Sequence, residues 1–187
     1  MELNQQDPLP KPRVLRPAGT DRQIHIRPAT GKDAGGWIAL LRTVSEEGRF
    51  LALENVGGKS RALVRHLRYE SWTQDSASIV AIEQEKVVGQ TTMFRQKGAW
   101  SHIAELGMSV AASHRRIGVG SGLIDGAVDW AHDFDVEKIV LNVFPHNQAA
   151  IALYEKKGFI REGLRKRHAK LSYGYEDLIE MSLWVGG

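Results

Sequence analysis

Three glycines at alternate positions, Gly118, Gly120 and Gly122, stand where an apolar segment gives way to a helical stripe, and this junction restricts the fold more than any other feature. Residues 100–110 before it are rich in apolar and small side chains and read as a strand. After it, Leu123, Ile124, Ala127, Val128 and Ala131 recur at helical spacing as far as His132-Asp133. Glycine costs about 1 kcal/mol inside a helix, so three of them at a helix start need a reason. One reason is close approach of an anionic ligand. A turn without side chains lets successive N–H groups converge on phosphate oxygens, and the helix dipole together with Arg115 and Arg116 adds positive charge. The other is a flexible turn combined with close helix–sheet packing, and at this point both stay open. A dinucleotide-binding fingerprint is excluded. It needs G-x-G-x-x-G after the first strand of a βαβ unit, whereas this loop has another spacing and follows the fourth strand. No Gly-Lys-Ser/Thr phosphate loop is present either.

The rest of the chain supplies partners for that strand–loop–helix. A short alternating strand at residues 23–27 leads to Thr30, which reads as a helix cap, with Asp33 in the first turn. Trp37, Ile38, Leu40, Leu41 and Val44 line the helix that follows, and a second helix fits residues 59–72. Residues 78–83 and 87–94 flank a short polar turn as a hairpin. Residues 138–144 are apolar on both faces and read as a central, buried strand. Asn147 opens a last helix that Gly158 closes, and two strands, about 159–167 and 175–185, bracket a turn at Leu171-Ser172-Tyr173-Gly174. The order β-α-α-β-β-β-α-β-α-β-β indicates a mixed α/β (α+β) sheet with helices on both faces. Residues 1–21, with Pro8, Pro10, Pro12 and Pro17, read as an extended or poorly ordered arm, and residues 22–187 as a single domain.

Composition narrows the function classes. The absence of cysteine excludes disulfides, thiolate metal sites and a cysteine nucleophile, and no metal site is expected. The formal net charge of +3 suits an anionic ligand as well as nucleic acid, but no basic run interleaved with aromatics supports the latter. No signal-peptide core or bilayer-length apolar stretch is present, so the expectation is a soluble, cytoplasmic protein with no nucleic-acid or membrane partner.

The pattern Arg115-x-x-Gly118-x-Gly120 resembles the pyrophosphate loop, [RQ]-x-x-G-x-[GA], of the GNAT superfamily of acyl-CoA-dependent N-acetyltransferases. Residues 147–159, with Asn147, Ala150, Leu153, Tyr154, Gly158 and Phe159, are similar to that family's second signature. Ile26-Arg27-Pro28-Ala29-Thr30 with Asp33 is similar to its usual opening. The resemblance implies a mostly antiparallel sheet whose fourth and fifth strands splay apart to admit the pantetheine arm of acetyl-CoA, with Pro145 fitting the separation. It implies direct acetyl transfer to a primary amine without a covalent intermediate. Met108, Ser109, Val110, Arg115, Arg116, Ile117, Gly118, Val119, Gly120, Ser121, Asn147 and Tyr154 are then expected to contact the coenzyme, with the Val110 amide beside the carbonyl. Tyr154 is the expected general acid, from a phenol near its usual pKa of about 10. Glu105 is the expected base, because a carboxylate in the apolar segment 103–108 is expensive to bury without a purpose. His102 ranks second on the opposite face, and His146 reads as a surface residue. Glu46, Glu47, Arg49, Phe50, Tyr173, Tyr175 and Asp177 are expected to wall the amine site, with Glu46 or Glu47 for an ammonium and Arg49 for a carboxylate. The expected partner is a small-molecule or peptide amine, with an amino acid or other small molecule preferred. A homodimer, a protein or peptide N-terminal acetyltransferase and a non-catalytic acyl-CoA sensor stay open as alternatives.

Overall fold

The computed structural model describes residues 12–48 and 60–186. Eight strands form one sheet: β1 (Arg13–Leu15), β2 (Ile24–Pro28), β3 (Ser76–Glu83), β4 (Lys86–Arg95), β5 (Ile103–Val110), β6 (Lys138–Val143), β7 (Ile160–Leu171) and β8 (Gly174–Trp184). Four helices accompany them: α1 (Ala34–Glu46), α2 (Ser60–Tyr69), α3 (Val119–Asp133) and α4 (Gln148–Lys156). The spatial order is β1-β2-β3-β4-β5-β6-β8-β7. Neighbours run antiparallel except β5 and β6, which are parallel. A parallel pair needs a crossover, and α3 supplies it, so the glycine junction sits where the chain leaves β5 for the crossover that returns it as β6.

Hairpins build the remainder. Gln84 and Glu85, at φ 47° and 65°, turn β3 into β4 with the left-handed geometry that matches strand twist. Asp33 fixes the start of the helical layer. Its carboxylate accepts from the Thr30 N–H (2.7 Å) and hydroxyl (2.9 Å), and Arg27 forks onto it at 2.8 and 2.9 Å. Burial alone would raise the Asp33 pKa, but the Arg27 fork and the Thr30 donors outweigh it and hold the group below its ordinary value.

The main core lies between the sheet and helices α3 and α4, where Met93, Ala104, Leu106, Ile124, Trp130, Ile139, Leu141, Ile151 and Met181 pack. A second cluster joins β2 and β3 to α3, and a third seats Trp37 and Leu67 against Val80 on the opposite face. Helices therefore cover both faces, as expected.

Two expectations need correction, and one strand adds to the expected set. β6 is central but not buried on both faces: Ile139, Leu141 and Val143 enter the core while Lys138, Val140 and Asn142 are half-buried. β5 begins at Ile103, because Gly98–Trp100 form a 3-10 turn and His102 lies in the turn after it. Within the proline-rich arm, Arg13–Leu15 form an edge strand on β2, and Arg13 reaches Asp129 on α3.

Candidate active site

The glycine junction resolves into two kinds of constraint. After β5, a 3-10 turn (Ala112–His114) leads to Arg116 at φ 66° and Gly118 at φ 96°, ψ −7°, and Gly118 caps α3. No side chain caps this helix. Gly122 N–H already closes onto Gly118 O, so the amides of Val119, Gly120 and Ser121 form a donor cluster at the positive end of the helix. Gly118 is there for its backbone, whereas Gly120 and Gly122 are there for packing. A Cβ on Gly120 would lie 2.7 Å from Leu153 Cδ2, and one on Gly122 would lie 2.4 Å from Ile26 Cδ1. The close-packing reading holds for Gly120 and Gly122, and Gly118 answers to its left-handed backbone.

Sequence reasoning missed what anchors this loop. The buried His114 sets Nε2 at 2.9 Å from Glu83 Oε2 and Nδ1 at 2.8 Å from Ser113 Oγ. Arg22 forks onto Glu83 at 2.7 and 2.8 Å. The Arg22 and His114 hydrogen bonds hold the Glu83 carboxyl at about 2. A Ser-His pair ahead of a glycine loop is a faint signal; its carboxylate lies 31 residues earlier in the chain and cannot be read locally.

Arg115 links the end of β5 to the end of α1. Its Nε donates to Val110 O at 3.0 Å, and its guanidinium forks onto Glu47 at 2.8 and 2.6 Å. Glu47, which with Glu46 was expected to offer a carboxylate to an ammonium, ties the end of α1 to the loop. Arg116 is exposed beside the cradle, and Glu46 is exposed. Arg49 and Phe50 lie outside the described residues. Tyr173 and Tyr175 are exposed on the β7–β8 hairpin, where Arg167 stacks 4.6 Å above the Tyr175 ring. Asp177 Oδ1 accepts from the Arg167 N–H at 2.6 Å.

The parallel pair carries the slot. β5 and β6 pair only at Ile103↔Lys138, Ala104↔Ile139 and Glu105↔Val140. Beyond that, β5 stays on β4 as far as Val110↔Gly89, and β6 stays on β8 as far as Val143↔Ile179. The facing edges of residues 106–110 and 141–143 therefore have no ladder between them, and the opening points at the loop. Half-buried Met108 packs against the core beside this opening. Tyr154 of α4 is buried, tilted against Phe159 at 5.5 Å, and burial pushes its phenol up to about 12. Asn147 caps α4 by accepting from Ala150 N–H at 3.2 Å.

Glu105 is exposed, contrary to the expectation of a carboxylate kept in an apolar setting. It stands on an interior strand, on the sheet face opposite α3, where Asn142 Nδ2 approaches it at 3.4 Å. Half-buried His102 lines a separate depression of about 420 Å³ with Lys138, Ile160, Glu162 and Trp184. His146 stacks on Phe144 at 5.2 Å. Among the described residues, no group of His, Cys, Asp and Glu is arranged to hold a metal ion, and no helix is long and apolar enough to cross a membrane.

A slot between parting parallel strands, closed by an uncapped glycine-started helix, defines an α/β domain shaped for an extended, phosphorylated ligand. The family model of the Acetyltransferase (GNAT) family matches residues 45–159, and the chain belongs to that family. It is 33% identical over 106 residues to the L-amino acid N-acetyltransferase AaaT of Escherichia coli (strain K12), a match covering 56% of this chain and 65% of that protein. It is 29% identical over 119 residues to the [ribosomal protein bS18]-alanine N-acetyltransferase of Salmonella typhimurium, covering 64% and 72%. A solved acetyltransferase of the GNAT family from Streptococcus pneumoniae superposes with a TM-score of 0.80 at 28% identity, over 87% of this chain and 99% of that one.

Proposed function

We propose that the protein transfers acetyl from acetyl-CoA directly to the nitrogen of a primary amine, with an amino acid or other small amine as acceptor. The observation that carries this reading is the end of β5–β6 pairing at Glu105↔Val140, with the helix cradle at the mouth of the gap. Similarity to the L-amino acid acetyltransferase supports the small acceptor. Similarity to the bS18-alanine acetyltransferase favours a second reading, a peptide N-terminus as acceptor.

The site fits the co-substrate on its own chemistry. The first-turn amides of α3 and the exposed Arg116 suit a pyrophosphate, and the unpaired inner edge of residues 106–110 offers backbone partners to an extended amide-containing arm. Acetyl-CoA supplies the acetyl group as a thioester. An amide of β5 near Val110 meets the carbonyl oxygen as it gains negative charge. Glu105, exposed and partnered by Asn142, accepts the proton of the acceptor ammonium, directly or through water. Tyr154 keeps its proton at neutral pH. With its pKa pushed to about 12 it is a weaker acid than a thiol of about 8.5, so it assists the departing sulfur chiefly as a hydrogen-bond donor.

Thiol release from acetyl-CoA across a panel of amino acids, small amines and short peptides tests the reading. Acetylated product in equimolar amount with free thiol supports it. Tight acetyl-CoA binding with no turnover on any acceptor favours a non-catalytic sensor instead.

A further inference from the structure

Three buried side-chain oxygens on one face of the sheet have no hydrogen-bond partner among the described residues: Gln90 Oε1, Ser109 Oγ and Asn142 Oδ1. Their placement follows from register. Gln90 lies directly opposite Ser109, Thr92 opposite Gly107, and Phe94 opposite Glu105. By the two-residue period of a strand, these six residues share one face. Asn142 joins it, because its Nδ2 reaches Glu105. The face is the one opposite α3, since Gly89, next to Gln90, packs on Val119 and Leu123 of α3.

The strip has the form of a receptor. Gly107 lies exposed at its middle, and a Cβ there would meet only Thr92 Oγ1, at 3.1 Å, so the floor is open to a ligand. Ser109 and Gln90, each 5% exposed, stand at one end, and Glu105 with Asn142 at the other. Glu105 is the one carboxylic side chain among these residues. The strip also borders the stretch where β6 leaves β5. A buried oxygen without a donor destabilises the fold, so three in one place call for a donor-bearing partner.

Resting on the acetyl-transfer reading, we infer that Gln90 and Ser109, with Asn142, bind the acceptor over Gly107. The acceptor is a cationic primary amine that carries a second N–H donor close to the reacting nitrogen. The reacting amine lies towards Asn142 and Glu105, and the second donor reaches Gln90 and Ser109. An unpaired hydroxyl kept for a ligand has a diagnostic consequence: its removal harms recognition while leaving the free protein as stable or more stable.

The test is steady-state kinetics on the coenzyme-saturated enzyme with alaninamide, which has the second donor, and isopropylamine, which lacks it. Wild type is expected to favour alaninamide by at least about tenfold in kcat/KM, as one good hydrogen bond implies. Gln90→Met and Ser109→Ala should each reduce that preference roughly tenfold, with unchanged coenzyme affinity for Gln90→Met and a melting temperature that does not fall for Ser109→Ala. Gln90→Glu, which retains an acceptor oxygen, should restore alaninamide turnover. An unchanged preference in both Gln90→Met and Ser109→Ala overturns the inference, as does a loss that only tracks lower stability. If the wild type releases no thiol with any amine, the acetyl-transfer reading fails separately. An NMR titration with alaninamide then decides the inference: shifts at the Gln90 side-chain amide support it, and their absence overturns it.

Discussion

Gly118 offers a sharp test because it separates conformation from packing within one helix turn. At φ 96° an alanine is forced into a left-handed backbone, which costs roughly 1–2 kcal/mol. Its Cβ would also sit 3.3 Å from Leu15 Cδ1 of β1, a contact tight enough to displace that side chain slightly. For a domain of this size each kcal/mol moves the melting temperature by about 2–4 °C, so Gly118→Ala should melt about 2–8 °C lower. If the chain relieves the strain by rotating the peptide, the first-turn amides lose their common direction. Losing one hydrogen bond to a phosphate is worth about tenfold in coenzyme A affinity. Gly118→Asn, which tolerates the left-handed region, should recover most of both losses. Gly122→Ala is the contrasting variant. Its Cβ would fall 2.4 Å from the buried Ile26 Cδ1, an overpacking of about 1–3 kcal/mol that leaves the loop backbone alone. It should melt lower but bind coenzyme A as the wild type does. Thermal melts and calorimetric titration read both quantities. Equal damage to binding from the two alanine variants would refute the division of labour among these glycines.

Other expectations can be checked in the same preparation. Tyr154→Phe should lower kcat by about 10²-fold, as loss of a hydrogen bond to developing charge implies; an unchanged rate removes the phenol from the reaction. Glu105→Gln should depress kcat/KM most at low pH, where the amine most needs a base, and an unaltered pH–rate profile would point to bulk water. Glu83 and Asp33 have folded pKa values below their ordinary 4.5 and 3.8. Their stabilising contribution is therefore present above those values and lost as the pH falls, for Glu83 between about 4.5 and 2. Urea midpoints measured across that window should show a shallower acid loss in Glu83→Gln; the same slope as wild type would mean the loop anchor contributes nothing.

Local chemistry was legible in the sequence, and distant pairing was not. Asn147 and Gly158 bound α4 as their residue types indicate, with the asparagine accepting from Ala150 N–H and the glycine at φ 90°. The Thr30–Asp33 helix start and the loop ahead of α3 are local in the same sense. The parting of β5 from β6 at Glu105 was reached through the family resemblance and not through local pattern, because β6 follows β8 rather than β5, a choice made by strands far apart in the chain. The Arg115–Glu47 fork spans 68 positions, so neither residue's partner could be read locally. β7 hid its extent in register shifts between Arg161 and Gly163 and between Arg165 and Ala169, which break the two-residue period. Glu105 misled for a related reason. Its apolar neighbours in sequence face α3, while its own side chain faces solvent.

The coenzyme slot is tested most directly by amide hydrogen exchange with and without saturating coenzyme A. Protection is expected to rise in two stretches together, residues 106–110 on the unpaired edge of β5 and residues 118–121 at the start of α3. Protection confined to other segments, or none in either stretch at saturation, would contradict the assignment of the gap and its helix as the acetyl-CoA site.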